Sequence, residues 1–306
     1  MDYQHASYTI EEVAQLLKVS KLTVYDLIKK EALPAYRVGR QMRVDYDDLE
    51  RYKSGNKTNR QIVEQKATAT RQANGQIVIS GQDIVLDILS KSIEKEKGKT
   101  PLRVYNGSLN SLIAMYNGEC DIVSLHLYDG ETGEYNLPYV KRILVSHPFA
   151  LINLMCRNAG IYVQKGNPKR IETWADLGNK EIKWANREKG SGARILFDEQ
   201  LKKQGIAADS VNGYEDELTS HFAVASAVAN GQADAAVGIE SVSKMVNVDF
   251  IPLVKERYDI VVLKKKEQTD SLELVKKIIQ SNEFKKQLKQ MNGYDSRLTG
   301  TVIYES

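Results

Sequence analysis

The chain has 306 residues, 42% hydrophobic and 27% charged, a balance that excludes overall disorder and leaves room for one large domain beside a small one. No run approaches the ~18 apolar residues of a spanning helix, and the polar start over 1–15 is unlike a secretory leader, so a cytoplasmic protein is expected and a transport receptor is not. The net charge of +3 is confined to one end: residues 1–71 hold 13 Lys and Arg against 10 Asp and Glu, and the remainder holds 30 of each.

The first elements read as a small module. Thr9-x-x-Glu12 is a capping box ahead of Val13, Ala14, Leu16 and Leu17, so a helix starts there and runs to about Val19. Ser20 caps a second helix in which Val24, Leu27 and Ile28 recur at helical spacing. The short gap between the two suits a helix-turn-helix, and Pro34 ends the second helix. Tyr36-Arg37-Val38 and Met42-Arg43-Val44 alternate around Gly39-Arg40 as a β-hairpin wing, and a short helix over 47–52 closes the unit. Between 21 and 43, Lys21, Lys29, Lys30, Arg37, Arg40 and Arg43 face only Asp26 and Glu31, a compact basic patch suited to nucleic acid. Residues 1–53 are therefore a DNA-binding domain. Residues 54–75, polar and poor in large apolar side chains, are a linker or a marginal helix.

From Gln76 the chain alternates strand and helix. Ile77–Ile79, Leu102–Tyr105 and Asp121–Leu125 read as strands, with helices over Asp83–Lys95 and Ser108–Gly118 between them. A longer apolar stretch, Phe149–Val163, follows. A second α/β unit holds Lys183–Asn186, the helices Ser191–Lys203 and Leu218–Asn230, and the strand Ala233–Gly238. The tail returns with Ile260–Leu263 and one long amphipathic helix, Ser271–Met291. The fold class is α/β: a two-lobed clamshell over 76–306, with one lobe near 76–130 and 255–306 and the other near 150–250, its ligand lying between the lobes at strand carboxyl ends. Cys120 and Cys156 lack partners at metal spacing and read as buried structural thiols.

Two Gly-Ser turns carry the candidate chemistry. Asn106-Gly107-Ser108 and Gly190-Ser191-Gly192-Ala193-Arg194 each follow a strand and open a helix, where unpaired N–H groups and the helix dipole favour an anion. Ser108 is a natural N-cap. Arg194, one turn inside its helix, is placed for its guanidinium to reach the same anion, with Arg187 nearby. His126, ending its strand, either donates to a ligand or is a satisfied histidine at the hinge. Glu240, His147 and His221 read as structural. No Walker loop, His-Glu-x-x-His or Gly-x-Ser-x-Gly elbow is present, so catalysis and a bound metal cation are not expected.

The run Tyr8-Thr9-Ile10 through Leu17-Lys18-Val19-Ser20, Thr23-Val24-Tyr25, Leu33-Pro34 and Tyr36-Arg37-Val38-Gly39-Arg40 resembles the excisionase-type branch of the winged MerR-like DNA-binding domains. That resemblance implies major-groove contacts from Ser20, Lys21, Thr23 and Tyr25, and backbone or minor-groove contacts from Arg37, Arg40 and Arg43. Residues 76–306, through Asn106-Gly107-Ser108-Leu109, Leu125-His126-Leu127, Gly133-Glu134-Tyr135-Asn136 and Asn186-Arg187 with Gly190–Arg194, resemble the type II periplasmic-binding-protein fold. More narrowly, they are similar to domains related to molybdate- and tungstate-binding proteins. The resemblance implies a ligand set of Ser108, His126, Arg187, Ser191, Gly192 and Arg194 and no cofactor. It implies a one-component transcriptional regulator that binds double-stranded DNA, senses molybdate or tungstate and has no membrane partner; a C2 homodimer is compatible with this, since a single small module binds DNA weakly. Transport relatives often use neutral donors, so the two arginines leave another organic anion or a pterin as an alternative ligand. An enzyme or carrier in molybdenum-cofactor handling is the alternative function.

Overall fold

The computed structural model describes residues 7–17, 19–30, 32–39, 41–46, 48–49, 52, 76–98, 100–264 and 269–306. Arg40, the expected linker over 54–75 and part of the expected helix over 47–52 lie outside them. The chain divides into two compact units, Met1–Gly75 and Gln76–Ser306.

In the first unit, β1 (Ser7–Thr9) leads into α1 (Ile10–Leu17) through the capping box. The Glu12 N–H donates to Thr9 Oγ1 at 3.3 Å, and the Thr9 N–H donates to the Glu12 carboxylate at 2.8 Å. Ser20 caps α2 (Lys21–Lys29), its hydroxyl accepting from the Thr23 N–H. β2 (Tyr36–Val38) and β3 (Gln41–Asp45) form the expected hairpin, and β1 joins β3 to make a three-stranded antiparallel sheet. Ile10, Val13, Val24, Leu33, Val44 and Leu49 bury against one another beneath it.

The second unit is built on one curled ten-stranded sheet. β4 (Val78–Ser80), α3 (Val85–Lys97), β5 (Leu102–Val104), α4 (Ser108–Tyr116) and β6 (Ile122–Leu125) form the first parallel run. α5 (Leu137–Ile143) leads to β7 (Phe149–Val163), then come β8 (Trp184–Arg187), α6 (Gly192–Gln204), β9 (Glu217–Leu218), α7 (His221–Ala229), β10 (Ala235–Ile239) and α8 (Glu240–Ser243). β11 (Asp249–Leu263), α9 (Thr269–Gln280), α10 (Asn282–Lys289), β12 (Tyr294–Asp295) and β13 (Val302–Glu305) complete the chain.

The 15-residue strands β7 and β11 are antiparallel partners along their whole length and serve both lobes. At one end, Ala150–Met155 and Tyr258–Val262 bury among the residues of α3, α4, α9 and α10. At the other, Ala159–Val163 pack with Trp184, Leu196 and Phe197. The strands leave one core and enter the other between residues 155 and 159 of β7, where Arg157 pairs in register with Glu256 of β11. Both cysteines are buried, and they form no disulfide with each other.

Three expectations need correction. The tail helix is two helices: the Ser281 hydroxyl accepts from the Phe284 N–H and starts α10, while Phe284 and Leu288 continue the apolar period of α9 into the same core. Periodicity alone reads through such a break. The helix expected from Leu218 starts at His221, because Glu217–Leu218 pairs with β8 and Ser220 caps the helix that follows. Gly107, not Ser108, is the N-cap of α4.

Gly160 faces Pro252 at a register shift in the long strand pair, and a Cβ there would stand 1.9 Å from the Ile251 carbonyl oxygen. Gly160→Ala should cost about 1–3 kcal/mol by denaturant unfolding, the usual penalty of an overpacked site. An unchanged midpoint would contradict this account of the crossing.

Candidate ligand-binding cleft

A cleft of about 1080 Å³ opens between the lobes. Three helix starts reach it: Gly107–Ser108 of α4, Ser191–Gly192 of α6 and Ser220–His221 of α7. The first N–H groups of each helix have no acceptor within the helix. The Ser191 hydroxyl accepts from the Arg194 N–H at 3.3 Å and the Ser220 hydroxyl from the Ala223 N–H at 3.0 Å. The Ser108 hydroxyl accepts from the His126 N–H at 3.3 Å. A hydroxyl carries one proton besides its acceptor lone pairs, so each serine keeps a donor unspent.

The first two turns abut. The Leu109 N–H donates to the Gly190 carbonyl at 2.9 Å, and a Cβ on Gly107 would meet that oxygen at 2.8 Å and Ser191 Cα at 2.9 Å. Gly192 is equally confined: a Cβ would lie 2.5 Å from the His126 ring. Glycine at 107 and 192 is therefore required by the close approach of the lobes.

The cations of the cleft are already paired. Arg157, on β7, donates to Asp83 at 2.6 Å and to Glu256, and it lies over the Tyr258 ring at 4.6 Å. Glu256 in turn meets His126 Nδ1 at 3.0 Å. Burial pushes the Glu256 carboxyl up, but Arg157 and His126 outweigh it and hold it at about 2. Arg187 grips Glu188 through two bonds of 2.8 and 2.9 Å and donates to Gln82 at 2.9 Å. Although burial opposes it, these contacts hold the Glu188 carboxyl below the usual range.

Ser108, His126, Arg187, Ser191 and Gly192 thus meet at one cleft, and Arg194 does not line it. Arg194 is 1% exposed, and its guanidinium bonds Asp198 at 3.0 Å and Glu217 at 2.9 Å while covering the Tyr214 ring at 4.1 Å. It braces α6 against β9 and donates nothing to the cleft. Arg187 is present, but as one half of an ion pair.

Other residues were missed. His221, read above as structural, lines the cleft, and its Nδ1 is buried without a hydrogen-bond partner. Burial, reinforced by Arg187, Arg157 and His126, keeps its pKa well below the usual imidazole range, so the ring is neutral at pH 7. Arg157 had a legible signal, being the single charge in the apolar run Phe149–Val163. His147 lies elsewhere, edge-on to Tyr116, and Glu240, not itself in the lining, bonds Asn158 and the lining residue Lys244.

In the first unit, Ser20, Lys21, Thr23, Tyr25 and Arg37 are exposed, with Lys21 ion-paired to Glu11 and the Ser20 and Thr23 hydroxyls bonded to each other. Arg43, half-buried, donates to the Ser7 carbonyl and hydroxyl at 3.3 and 3.1 Å, tying β3 to β1.

Residues 90–280 match the family model described as PBP superfamily domain, and residues 7–57 match that described as helix-turn-helix domain. The chain belongs to the PBP superfamily domain family, as a two-lobed α/β unit preceded by a helix-turn-helix domain. Over 306 residues it is 58% identical to the uncharacterized protein YvgK of Bacillus subtilis (strain 168), covering 98% of this chain and 99% of that one. A Clostridium pasteurianum protein described only by its place in the 5′ region of a ferredoxin 2Fe-2S gene is 45% identical over 112 residues, covering 36% of this chain and 99% of that one. Among solved structures, the ancestral amino acid-binding protein AncCDT-1 superposes with a TM-score of 0.52 at 17% identity, covering 74% of this chain and 99% of that one. That likeness concerns the fold. Among the described residues, no helix is long and apolar enough to cross a membrane.

Because the Glu256 carboxyl is depressed in the folded state, it adds stability above the ordinary carboxylate range, and that contribution is lost as pH falls toward 2. Wild type should be more stable than Glu256→Gln at pH 7, and the gap should close progressively below about pH 4.5. A gap independent of pH would mean that Glu256 is not held ionised by Arg157.

Proposed function

We propose that this protein is a one-component transcriptional regulator that binds double-stranded DNA through its first unit and holds an oxyanion group in the cleft of its second. The observation that carries the reading is the convergence of three helix N-termini, each with a serine whose proton is unspent, on a cleft whose guanidinium groups are already paired with carboxylates. Such a site supplies donors and dipoles rather than net positive charge. A fully deprotonated tetrahedral dianion has no proton to give and asks only for donors, so molybdate and tungstate fit it better than protonated phosphate does. Arg194 does not line the cleft and Arg187 is paired with Glu188, so neither supplies a free charge to a ligand. Ser108, Ser191 and Ser220 donate through their hydroxyls, Gly192 through its N–H, and Arg157 through the guanidinium nitrogen left over from Asp83 and Glu256. His126 orients its ring on Glu256 and borders the Gly192 turn.

Differential binding of the ligand by two states of the clamshell would change the protein's affinity for DNA, and a C2 dimer would make that change sensitive to half-site spacing. Tyr25, on the exposed face of α2, and Arg37, on the hairpin, are the groups best placed to touch the duplex.

Calorimetric titration with tungstate, molybdate and sulfate tests the ligand. Heat and saturation with the first two are expected, and silence with all three would remove the oxyanion reading. Ser191→Ala and Ser220→Ala should each weaken tungstate about tenfold or more, since a hydrogen bond to a charged group contributes about 1.5–3 kcal/mol. Arg194→Ala should lower stability and leave affinity for tungstate nearly unchanged. On the DNA side, Arg37→Ala should weaken binding to any duplex and reduce the salt dependence by about one phosphate contact. An unchanged salt slope would take Arg37 off the backbone.

A further inference from the structure

The cleft joins buried polar groups to exposed apolar ones. Its floor is polar and buried: Asp83 is 7% exposed, Arg157 4%, Arg187 2% and Ser191 2%. Toward solvent, beside the polar Gln82, Asn110, Thr219 and Lys244, four large apolar side chains stand exposed: Ile84 58%, Tyr105 63%, Phe222 56% and Met245 74%. Folding normally does the reverse, and large apolar side chains gathered at the rim of a polar cavity mark a surface that something else covers. Each of three exposed apolar residues follows or precedes a less exposed polar one in the chain, Ile84 with Asp83, Tyr105 with Asn106, and Phe222 with His221. The step from polar to apolar therefore recurs on both lobes. Tyr105 is also held in place: Arg103 lies over its ring at 5.1 Å and is itself fixed by Asp87 at 2.9 Å and the Gly81 carbonyl at 3.0 Å.

Size points the same way. A bare tetrahedral oxyanion has five heavy atoms and fills under ~100 Å³, a few waters' worth. The cleft is about 1080 Å³, the size of sites that hold molecules of several rings.

We propose that the natural ligand is an organic anion: an oxyanion head on the three helix ends, carried by a flat apolar body between Tyr105 and Ile84 of one lobe and Phe222 and Met245 of the other. The inference rests on the anion site proposed above and adds the class of molecule that carries the anion. The head gives orientation through the serine and backbone donors. The body covers the exposed side chains at the mouth, so both lobes gain contact area when the cleft is filled. A bare ion would leave those side chains in water.

The test uses the full chain and probes matched in head group: sulfate against 2-naphthalenesulfonate, phosphate against phenyl phosphate, acetate against benzoate, with tungstate alongside. In at least one pair the aryl member should bind about tenfold or more tightly than its inorganic or methyl counterpart, the gain expected from covering one aromatic face. The Tyr105→Ser, Phe222→Ser double variant should lose that gain and keep its affinity for tungstate. Both residues are exposed, so its thermal unfolding should match wild type. Equal or weaker binding of the aryl member in every pair, with tungstate still bound, overturns the inference and leaves the anion site standing. No binding of any probe, tungstate included, overturns the anion site and the inference with it.

Discussion

Everything in the ligand-binding unit turns on one guanidinium. Arg157 sits where β7 leaves one core and enters the other, 4% exposed, and it bridges Asp83 and Glu256. Burying three charges is tolerable only when each has a partner; removing one member leaves an uncompensated charge at about 3–5 kcal/mol. The arrangement joins β7, β11 and the entry to α3, and through Glu256 it reaches His126 beside the Gly192 turn. The floor of the cleft and the crossing between the lobes are thus one polar network, flanked on both sides by apolar cores.

That network decides what kind of site the cleft is. A cleft with free arginines would attract any anion through long-range charge. Here Arg157 and Arg187 are matched by carboxylates. What remains is local and directional: helix ends, serine protons and a neutral His221. For the proposed anion, selectivity would then rest on geometry and on the protonation state of the ligand. The exposed apolar side chains at its mouth add a second criterion that charge alone would not supply.

Much of this was legible in the sequence, for identifiable reasons. Thr9 with Glu12 and Ser20 with Thr23 are short-range caps, and local chemistry survives folding. The turns at 107–108 and 190–192 announced themselves because a helix end needs a small polar residue and close approach needs glycine. Arg194 misled because side-chain direction on a helix depends on what lies beside it, here Asp198, Glu217 and Tyr214, two of them more than fifteen residues away in sequence. His221 read as structural because the two-residue strand Glu217–Leu218, which sets the start of α7, exists only through pairing with β8. The long strands β7 and β11 carry too little alternation to reveal that each serves two cores.

The central claim is that the three helix ends hold the oxyanion and that neither Arg194 nor Arg187 grips it. Crystals soaked in tungstate, mapped by the anomalous signal of tungsten, test it directly. One peak within hydrogen-bonding reach of the Ser108, Ser191 and Ser220 hydroxyls is the predicted result. A peak against Arg194, or tungsten only on surface lysines with the cleft empty, would contradict it.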